Sequence, residues 1–325
     1  MTTDRQFSSL VQVEHLERSY GSLCAVADIS FEVHRGEVLG FLGPNGAGKS
    51  TTMQVISGNL APSAGRVFVN GVDILDEPRA AKAELGFLPE QPPLYHDLTV
   101  DEYLSYCARI HRIAREHRAG AIARTKERCG LGAVGRRLIG NLSKGYQQRV
   151  GLAQAIVHAP AVVILDEPTV GLDPIQIREI RGLIRELGGE HSVILSTHIL
   201  PEVQAVCDRV LIMHRGRLVF DDTLAEMQQR AQMSWLVVGL RNPPPIAVLS
   251  GLDGVTQIED LGGGRVRLRH APEGGEFAER LALRAATEGW KLYELSRERR
   301  SLEEIFVDIT TSDTSTDTSP REEAA

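Results

Sequence analysis

The sequence predicts an α/β fold built on a mixed sheet, with a helical subdomain inserted into it and a small α+β domain after it. Short, wholly apolar runs such as Val38–Leu42 and Ala161–Leu165 are typical of buried strands. The stretch from about 99 to 157 is instead charged and helical in its pattern, which indicates the insertion. Beyond Ser234, short strand-like runs separated by glycine-rich turns predict the smaller domain.

These patterns also predict where the domains begin and end. We expect the larger domain to cover residues 9–230, with a helix over Thr223–Arg230 leading out of it. The small domain is expected over 234–310, and it closes with a helix at Ser301–Ile309. Residues 311–325 are rich in Thr, Ser and Asp and predict a disordered tail.

Composition limits the class of protein. The 325 residues are 42% hydrophobic, which is enough for a sizeable core, and the formal net charge of −7 gives no reason to expect a nucleic-acid partner. The 4 cysteines have no CxxC spacing and predict reduced thiols. We find neither a signal peptide nor an apolar run long enough to cross a bilayer, so we expect any work at a membrane to go through a partner.

A glycine-rich stretch follows the strand at Val38–Leu42 and precedes a helix predicted to begin near Thr52. Strand, glycine-rich loop and helix in this order are the context of a phosphate-binding P-loop, and a plain glycine-rich turn is the disfavoured alternative. We expect Lys49 to reach the terminal phosphates and Ser50 to bind Mg²⁺. The predicted nucleotide-binding residues of this loop are Gly43, Pro44, Asn45, Gly46, Ala47, Gly48, Lys49, Ser50 and Thr51.

Two further strands end in polar side chains. The run Ala161–Leu165 leads into Asp166 and Glu167, and two carboxylates at the end of a buried strand are costly unless a cation is near. This is the form of a Walker B element, in which Asp166 binds Mg²⁺ and Glu167 polarises the attacking water. The other run ends at His198, which we expect at the same edge because parallel strands place their carboxyl ends together.

Two segments allow a functional and an ordinary interpretation. Tyr20 lies in a predicted turn at Arg18–Gly21, just before a strand, and could stack on an adenine ring or be a plain turn tyrosine. Ser143 precedes a helix and could offer an anion-binding N-terminus with Gly145 beside it, or be a plain helix cap.

Taken together, these elements resemble the ATP-binding cassette (ABC) ATPases. The P-loop, the signature Leu142–Tyr146, Asp166–Glu167, the Asp173 loop and His198 occur in the order of that family. The resemblance covers roughly residues 9–220 and implies an α/β P-loop NTPase cassette with ATP and Mg²⁺ as its ligands.

The resemblance further implies a site shared by two chains that pair head to tail. Ser143 and Gly145 would contact the γ-phosphate of ATP held by the partner chain, and Tyr20 would stack on the adenine. Glu167 would be the base, His198 would hydrogen-bond the γ-phosphate, and Asp173 would link the two sites.

The sequence departs from the family pattern at two places. The signature contains Lys144 and Tyr146 where the common form has Gly and Gln, although Ser143 and Gly145 are kept. Glu90 stands where a glutamine usually contacts Mg²⁺ and the permease, and a carboxylate can bind that ion as well as an amide can. Gln91 is adjacent, so which of the two serves stays open.

The variant signature, the Pro-Glu loop and the closing Ser301–Phe306 resemble the branch whose permeases are separate chains, including gliding-motility, copper-site maturation and drug-efflux ATPases. We therefore predict a peripheral ATPase at the cytoplasmic face of the cell membrane, as a homodimer or paired with a related ATPase. It is expected to drive separate integral membrane permease subunits that act as an exporter. The alternative is a soluble cassette acting on ribosomes or DNA. For the small C-terminal domain, a regulatory or dimer-stabilising role and a structural cover are both open.

Overall fold

The computed structural model describes residues 9–231, 235–270, 277–298, 302–304 and 306–307. The chain divides between Leu224 and Ala225 into two compact units. In the described part, no helix is long and apolar enough to cross a membrane. The predicted tail over 311–325 and much of the predicted helix Ser301–Ile309 lie outside the described residues.

The first unit contains ten strands and seven α-helices among the described residues. In chain order the strands are β1 (Ser9–Tyr20), β2 (Leu23–His34), β3 (Val38–Leu42), β4 (Ala64–Val69), β5 (Val72–Asp73), β6 (Leu85–Leu88), β7 (Val162–Asp166), β8 (Ser192–Thr197), β9 (Arg209–His214) and β10 (Arg217–Thr223). The helices are α1 (Lys49–Ile56), α2 (Pro78–Ala83), α3 (Val100–Ile110), α4 (Arg115–Arg128), α5 (Lys144–Ile156), α6 (Pro174–Gly188) and α7 (Leu200–Val206).

A six-stranded mixed sheet forms the centre of this unit, in the order β10-β9-β3-β8-β7-β6. The five strands from β9 to β6 are parallel, and β10 is antiparallel to β9. Every residue of β3, β7 and β8 is buried, which agrees with the apolar run that each of these strands contains. The mixed α/β sheet that the sequence predicts is confirmed.

A second, antiparallel sheet has the order β2-β1-β4-β5. The predicted turn at Arg18–Gly21 is wrong in its first residues, because β1 and β2 stay paired as far as Tyr20 and Leu23. The turn is confined to the two residues between them, where Gly21 has φ 59°. A hydrophobic cluster joins both sheets to α1, through residues such as Met53, Phe41 and Leu211.

The inserted helical subdomain consists of α3, α4 and α5. A capping box begins α3: Glu102 N–H donates to Thr99 Oγ1 over 3.3 Å, and Thr99 N–H donates to Glu102 Oε2 over 2.8 Å. Two short 3₁₀ turns, Gly132–Val134 and Ile139–Asn141, connect α4 to α5. These connections place the start of α5, with the signature residues, at the end of a tightly turned segment.

The second unit has a four-stranded antiparallel sheet and three helices among its described residues. In chain order its elements are α8 (Leu224–Ala231), β11 (Trp235–Leu240), α9 (Ile246–Ser250), β12 (Val255–Gly262), β13 (Arg265–His270), α10 (Phe277–Thr287) and β14 (Leu292–Glu298). The sheet order is β12-β13-β11-β14. Its core packs α9 and α10 onto β11 and β13, through residues such as Leu236, Leu268 and Leu281.

Candidate functional site

The carboxyl ends of the parallel strands lie at one edge of the central sheet. The register pairs Leu42 with Thr197 across β3 and β8, and Asp166 with Ser196 across β7 and β8. The segments that follow these strands therefore meet at this edge, where open α/β sheets place their ligand-binding sites. They are the P-loop, the Glu167 loop and the His198 segment.

The P-loop depends on its glycines. Gly48 has φ +107°, and a Cβ there would lie 2.3 Å from the carbonyl oxygen of Ala25. A Cβ on Gly43 would lie 2.3 Å from the carbonyl oxygen of Met213. Because Gly48 breaks the regular backbone, α1 begins directly after it at Lys49, three residues earlier than Thr52. The first N–H groups of α1 have no partner within the helix and point into the loop, where an anion can accept from them.

Lys49 is 5% exposed and is held by the loop itself. Its ammonium donates to the carbonyl oxygens of Gly43 over 2.8 Å and Pro44 over 3.2 Å. Burial lowers the pKa of Lys49, and the charges of Glu167 and Asp166 oppose that shift. Two carbonyl oxygens of the loop thus hold the side-chain ammonium group of Lys49 in position.

Asp166 is the buried carboxylate at the end of β7. Burial raises the pKa of Asp166, while a hydrogen bond from the Ser50 hydroxyl opposes that shift. Ser50 Oγ lies 3.3 Å from Asp166 Oδ1. These two oxygens come from different strand-end segments, and they are the pair that the sequence predicts for Mg²⁺.

Glu167 and His198 form a second pair. Nδ1 of His198 lies 3.0 Å from both carboxylate oxygens of Glu167, and Lys49 Nζ lies 3.6 Å from Glu167 Oε1. Glu167 is buried and has φ 48°, a left-handed conformation that costs a side-chain-bearing residue about 1–3 kcal/mol. Its N–H donates to the Ser196 carbonyl over 2.9 Å, which ties the strained residue to β8.

A cavity of about 520 Å³ opens at this edge and collects most of the predicted residues. The predicted residues that line it are Tyr20, Asn45, Gly46, Gly48, Lys49, Ser50, Thr51, Glu90, Glu167 and His198. Leu23, Ala25 and Val170 also line it, and no motif in the sequence marks these three residues. Tyr20 lines the cavity and is exposed, and Cζ of Arg18 lies 4.7 Å from the centroid of its ring.

Some predicted residues support this cavity without lining it. The carbonyl oxygens of Gly43 and Pro44 hold Lys49, and the N–H of Ala47 donates to Pro44 over 3.2 Å. Asp166 does not line the cavity itself but accepts from the hydroxyl of Ser50, which does. Of the two candidates after β6, Glu90 lines the cavity and Gln91 does not.

The signature residues do not line the cavity. Ser143 occupies the N-cap position of α5, but its hydroxyl makes no capping hydrogen bond, and the residue is exposed. Gly145 packs against α6, where a Cβ would lie 2.5 Å from Cδ of Gln176. Asp173 is also absent from the cavity lining, and it caps α6 by accepting from Ile175 N–H over 3.0 Å and Gln176 N–H over 2.9 Å.

Comparison with known proteins gives one family. The family model described as ABC transporter matches residues 26–170. An uncharacterized ABC transporter ATP-binding protein, YxlF of Bacillus subtilis strain 168, is 35% identical over 232 residues, covering 71% of this chain and 77% of that protein. The bacitracin transport ATP-binding protein BcrA of Bacillus licheniformis is 36% identical over 225 residues, covering 69% of this chain and 72% of that protein.

Solved structures agree with these relatives. The structure titled as the ATP binding subunit of an ABC transporter is 31% identical, with a TM-score of 0.63, and it covers 68% of this chain and 93% of that one. The dimeric cassette MJ0796 superposes with a TM-score of 0.61 at 23% identity, covering 66% of this chain and 98% of that one, which shows a shared fold. The site at the sheet edge and these relatives agree that the chain belongs to the ABC transporter family, as an ATP-binding subunit whose ATP hydrolysis is coupled to transport.

Proposed function

We propose that this chain hydrolyses ATP with Glu167 as the general base, in a site completed by a second cassette. The observation that supports this most directly is the placement of Glu167 at the P-loop cavity, held by His198 Nδ1 at 3.0 Å from both oxygens. A base must be held in hydrogen-bonding reach of the water that it deprotonates, and a carboxylate fixed by two neighbours meets that requirement.

The remaining roles follow from position. Lys49 and the N–H groups at the start of α1 bind the phosphates, Tyr20 stacks on the adenine, and His198 donates to the γ-phosphate. Ser50 and Asp166 hold Mg²⁺, which neutralises charge on the phosphates when it is bound. Ser50 Oγ and Asp166 Oδ1, 3.3 Å apart, fit this ion because Mg²⁺ takes one or two protein oxygens together with phosphate and water. Glu90 is the third candidate ligand.

The second cassette supplies the signature. Ser143 and Gly145 lie outside the cavity, so in one chain they cannot close over the phosphates that Lys49 binds. The chain has one P-loop and one signature, which supports a homodimer or a pair with a related ATPase. In that pair, Asp173 links the two sites.

The partner that uses the energy is a separate membrane permease, and the cassettes sit peripherally at the cytoplasmic face of the membrane. Export is the proposed direction, since the relative BcrA is named for bacitracin transport and LnrL of Bacillus subtilis for linearmycin resistance. The alternative of a soluble cassette on ribosomes or DNA gains no support from these relatives. Copurification of the chain with a multi-span membrane protein tests the permease proposal, and copurification with ribosomes instead would contradict it.

The assignment of Glu167 has a direct test. Glu167→Gln keeps the shape and the hydrogen bond acceptor but removes the base, so turnover should fall by about 10²–10⁴-fold while ATP affinity is retained. ATP should then hold the variant as a dimer, which light scattering with size exclusion detects. Glu186→Gln, on the exposed face of α6, is the matched control and should leave turnover unchanged. Undiminished hydrolysis in Glu167→Gln would remove Glu167 as the base.

A further inference from the structure

Glu202 is a buried carboxylate to which the functions above assign no role. It lies in the first turn of α7 and is 1% exposed. A carboxylate so completely buried is costly unless hydrogen-bond donors and a counter-charge surround it. The residues that surround Glu202 are therefore informative.

Both oxygens of Glu202 accept hydrogen bonds from buried threonines. The Thr169 hydroxyl donates to Oε1, and the Thr197 hydroxyl donates to Oε2 over 2.8 Å. Arg181 of α6 supplies the counter-charge, with its guanidinium 3.7 Å from Oε1. One carboxylate thus joins three segments, namely the loop after β7, the end of β8 and α6.

The two threonines flank the residues proposed to carry out hydrolysis. Thr169 lies two positions after Glu167, and Thr197 lies immediately before His198. The Thr197 hydroxyl also accepts from Ile199 N–H over 3.1 Å, so one hydroxyl bridges the backbone on both sides of His198. The N–H of Glu202 itself donates to the Ile199 carbonyl over 3.0 Å. The backbone around both residues is therefore held from the same point.

We propose that Glu202 is a positioning residue that fixes Glu167 and His198 relative to each other for ATP hydrolysis. This proposal rests on the function proposed above for those two residues. Glu202 does not line the cavity; it acts through the two threonine hydroxyls that donate to it. Because displacement of a reacting group by about 1 Å can cost about 10²-fold in rate, a fixed spacing between base and histidine has a direct kinetic consequence.

The test compares variants of Glu202 and Thr197 in the purified full-length chain. Glu202→Ala removes both acceptors, and kcat should fall about 10- to 100-fold with KM for ATP within about twofold, because the phosphate-binding groups stay in place. Glu202→Gln keeps one acceptor oxygen, so its kcat should lie between those of the wild type and of Glu202→Ala. Thr197→Ser keeps the hydroxyl and should retain kcat, whereas Thr197→Val should lose about tenfold.

A matched control is available in Glu37. Its side chain is 10% exposed and is also paired with an arginine: Oε1 accepts from Arg209 Nε over 2.6 Å, and Oε2 accepts from His34 N–H over 2.7 Å. Glu37 precedes β3 at the opposite end of the sheet from the cavity. Glu37→Gln should therefore lower the melting temperature about as much as Glu202→Gln while leaving kcat unchanged.

Combining the Glu202 substitution with His198→Ala distinguishes a positioning role of Glu202 from an effect on overall stability. If Glu202 acts by placing His198 and Glu167, its substitution should reduce kcat by less than about threefold in the His198→Ala background. Equal losses in both backgrounds, or kcat losses in Glu37→Gln that match those in Glu202→Gln, would overturn the proposal. If Glu202→Ala does not fold, the Thr197→Ser and Thr197→Val pair decides by the same criterion. A kcat that does not depend on Glu167 would overturn the proposed function, and this inference with it.

Discussion

The P-loop half of the site and the signature half are built differently. Lys49 is buried, held by two carbonyl oxygens and placed 3.6 Å from Glu167, at a cavity that the same chain forms. Ser143 is exposed, and its hydroxyl makes no capping hydrogen bond although it occupies the cap position. One half is organised before a ligand arrives, whereas the other presents an open helix end.

This difference has a physical reason. A charged group that binds the phosphates of the same chain's ATP is buried in the fold. Burial of a charge is unfavourable unless the charge is paired, so each such group needs a partner inside the fold. A helix N-terminus that meets the phosphate of another chain must stay accessible until the two chains associate. The comparison supports our proposal that the N-terminal N–H groups of α5 bind a phosphate held by the partner chain.

Of the three substitutions that compare the two halves of the site, removal of the Lys49 side chain should have the largest effect, on ATP affinity. Lys49→Ala deletes a charge-assisted contact to the phosphates and should weaken ATP binding by about 2–3 kcal/mol, or roughly 30- to 150-fold. Lys144→Ala removes the same side chain from the exposed signature half and should leave ATP affinity of the isolated chain within about twofold. Isothermal titration calorimetry with ATP measures the affinity of both variants. Equal losses of affinity would contradict the difference between the P-loop half and the signature half.

Asp173 stands between the two halves and should have an intermediate effect. Asp173→Ala removes the N-cap of α6 and should lower the free energy of unfolding by about 0.5–2 kcal/mol, whereas Asp173→Asn preserves the cap. Denaturant titration measures both. Because the proposed link between sites needs more than a cap, both variants should lose turnover. Full turnover in Asp173→Asn would show that Asp173 acts only as the cap of α6.

Substitution of Glu90, one of the two candidates for the Mg²⁺ contact, should have the smallest effect of these three, on the Mg²⁺ requirement of hydrolysis. Glu90 lines the cavity, so Glu90→Ala should raise the Mg²⁺ concentration needed for half-maximal hydrolysis by a few-fold, about what loss of one oxygen ligand costs. Gln91→Ala should not change it. A magnesium titration of hydrolysis decides between them, and a shift in Gln91→Ala alone would move the assignment by one residue.

The elements with the most regular patterns were the ones that the sequence could predict. The strands β3, β7 and β8 are wholly buried, so the apolar runs in the sequence predict them nearly to the residue. The family order of motifs then places Lys49, Asp166, Glu167 and His198 near one another, and the structure brings them to one edge. Beyond Ser234, the sequence predicts strands separated by glycine-rich turns, and one such turn, at Gly262–Gly264, joins the antiparallel strands β12 and β13.

The parts of the fold and of the site that the sequence does not predict depend on contacts between residues distant in sequence. The strand β9 was not predicted, since Arg209–His214 begins and ends in polar residues, and its place beside β3 comes from tertiary pairing. The burial of Glu202 was also missed, because a glutamate in the first turn of a helix is usually solvated and favoured by the helix dipole. Only the structure shows that Thr169 and Thr197 converge on it.

The shared site can be tested by mixing two damaged chains. Lys49→Ala has no working P-loop, and Ser143→Arg has no working signature, so each variant alone should hydrolyse ATP poorly. In a mixed dimer, the intact P-loop of the Ser143→Arg chain faces the intact signature of the Lys49→Ala chain, which leaves one complete site. Mixing should therefore restore ATP hydrolysis, to about a quarter of the wild-type rate for random pairing of active sites that act independently. Hydrolysis that stays at the level of the separate variants, or a Ser143→Arg chain that is fully active by itself, would contradict a site shared between two copies of this chain.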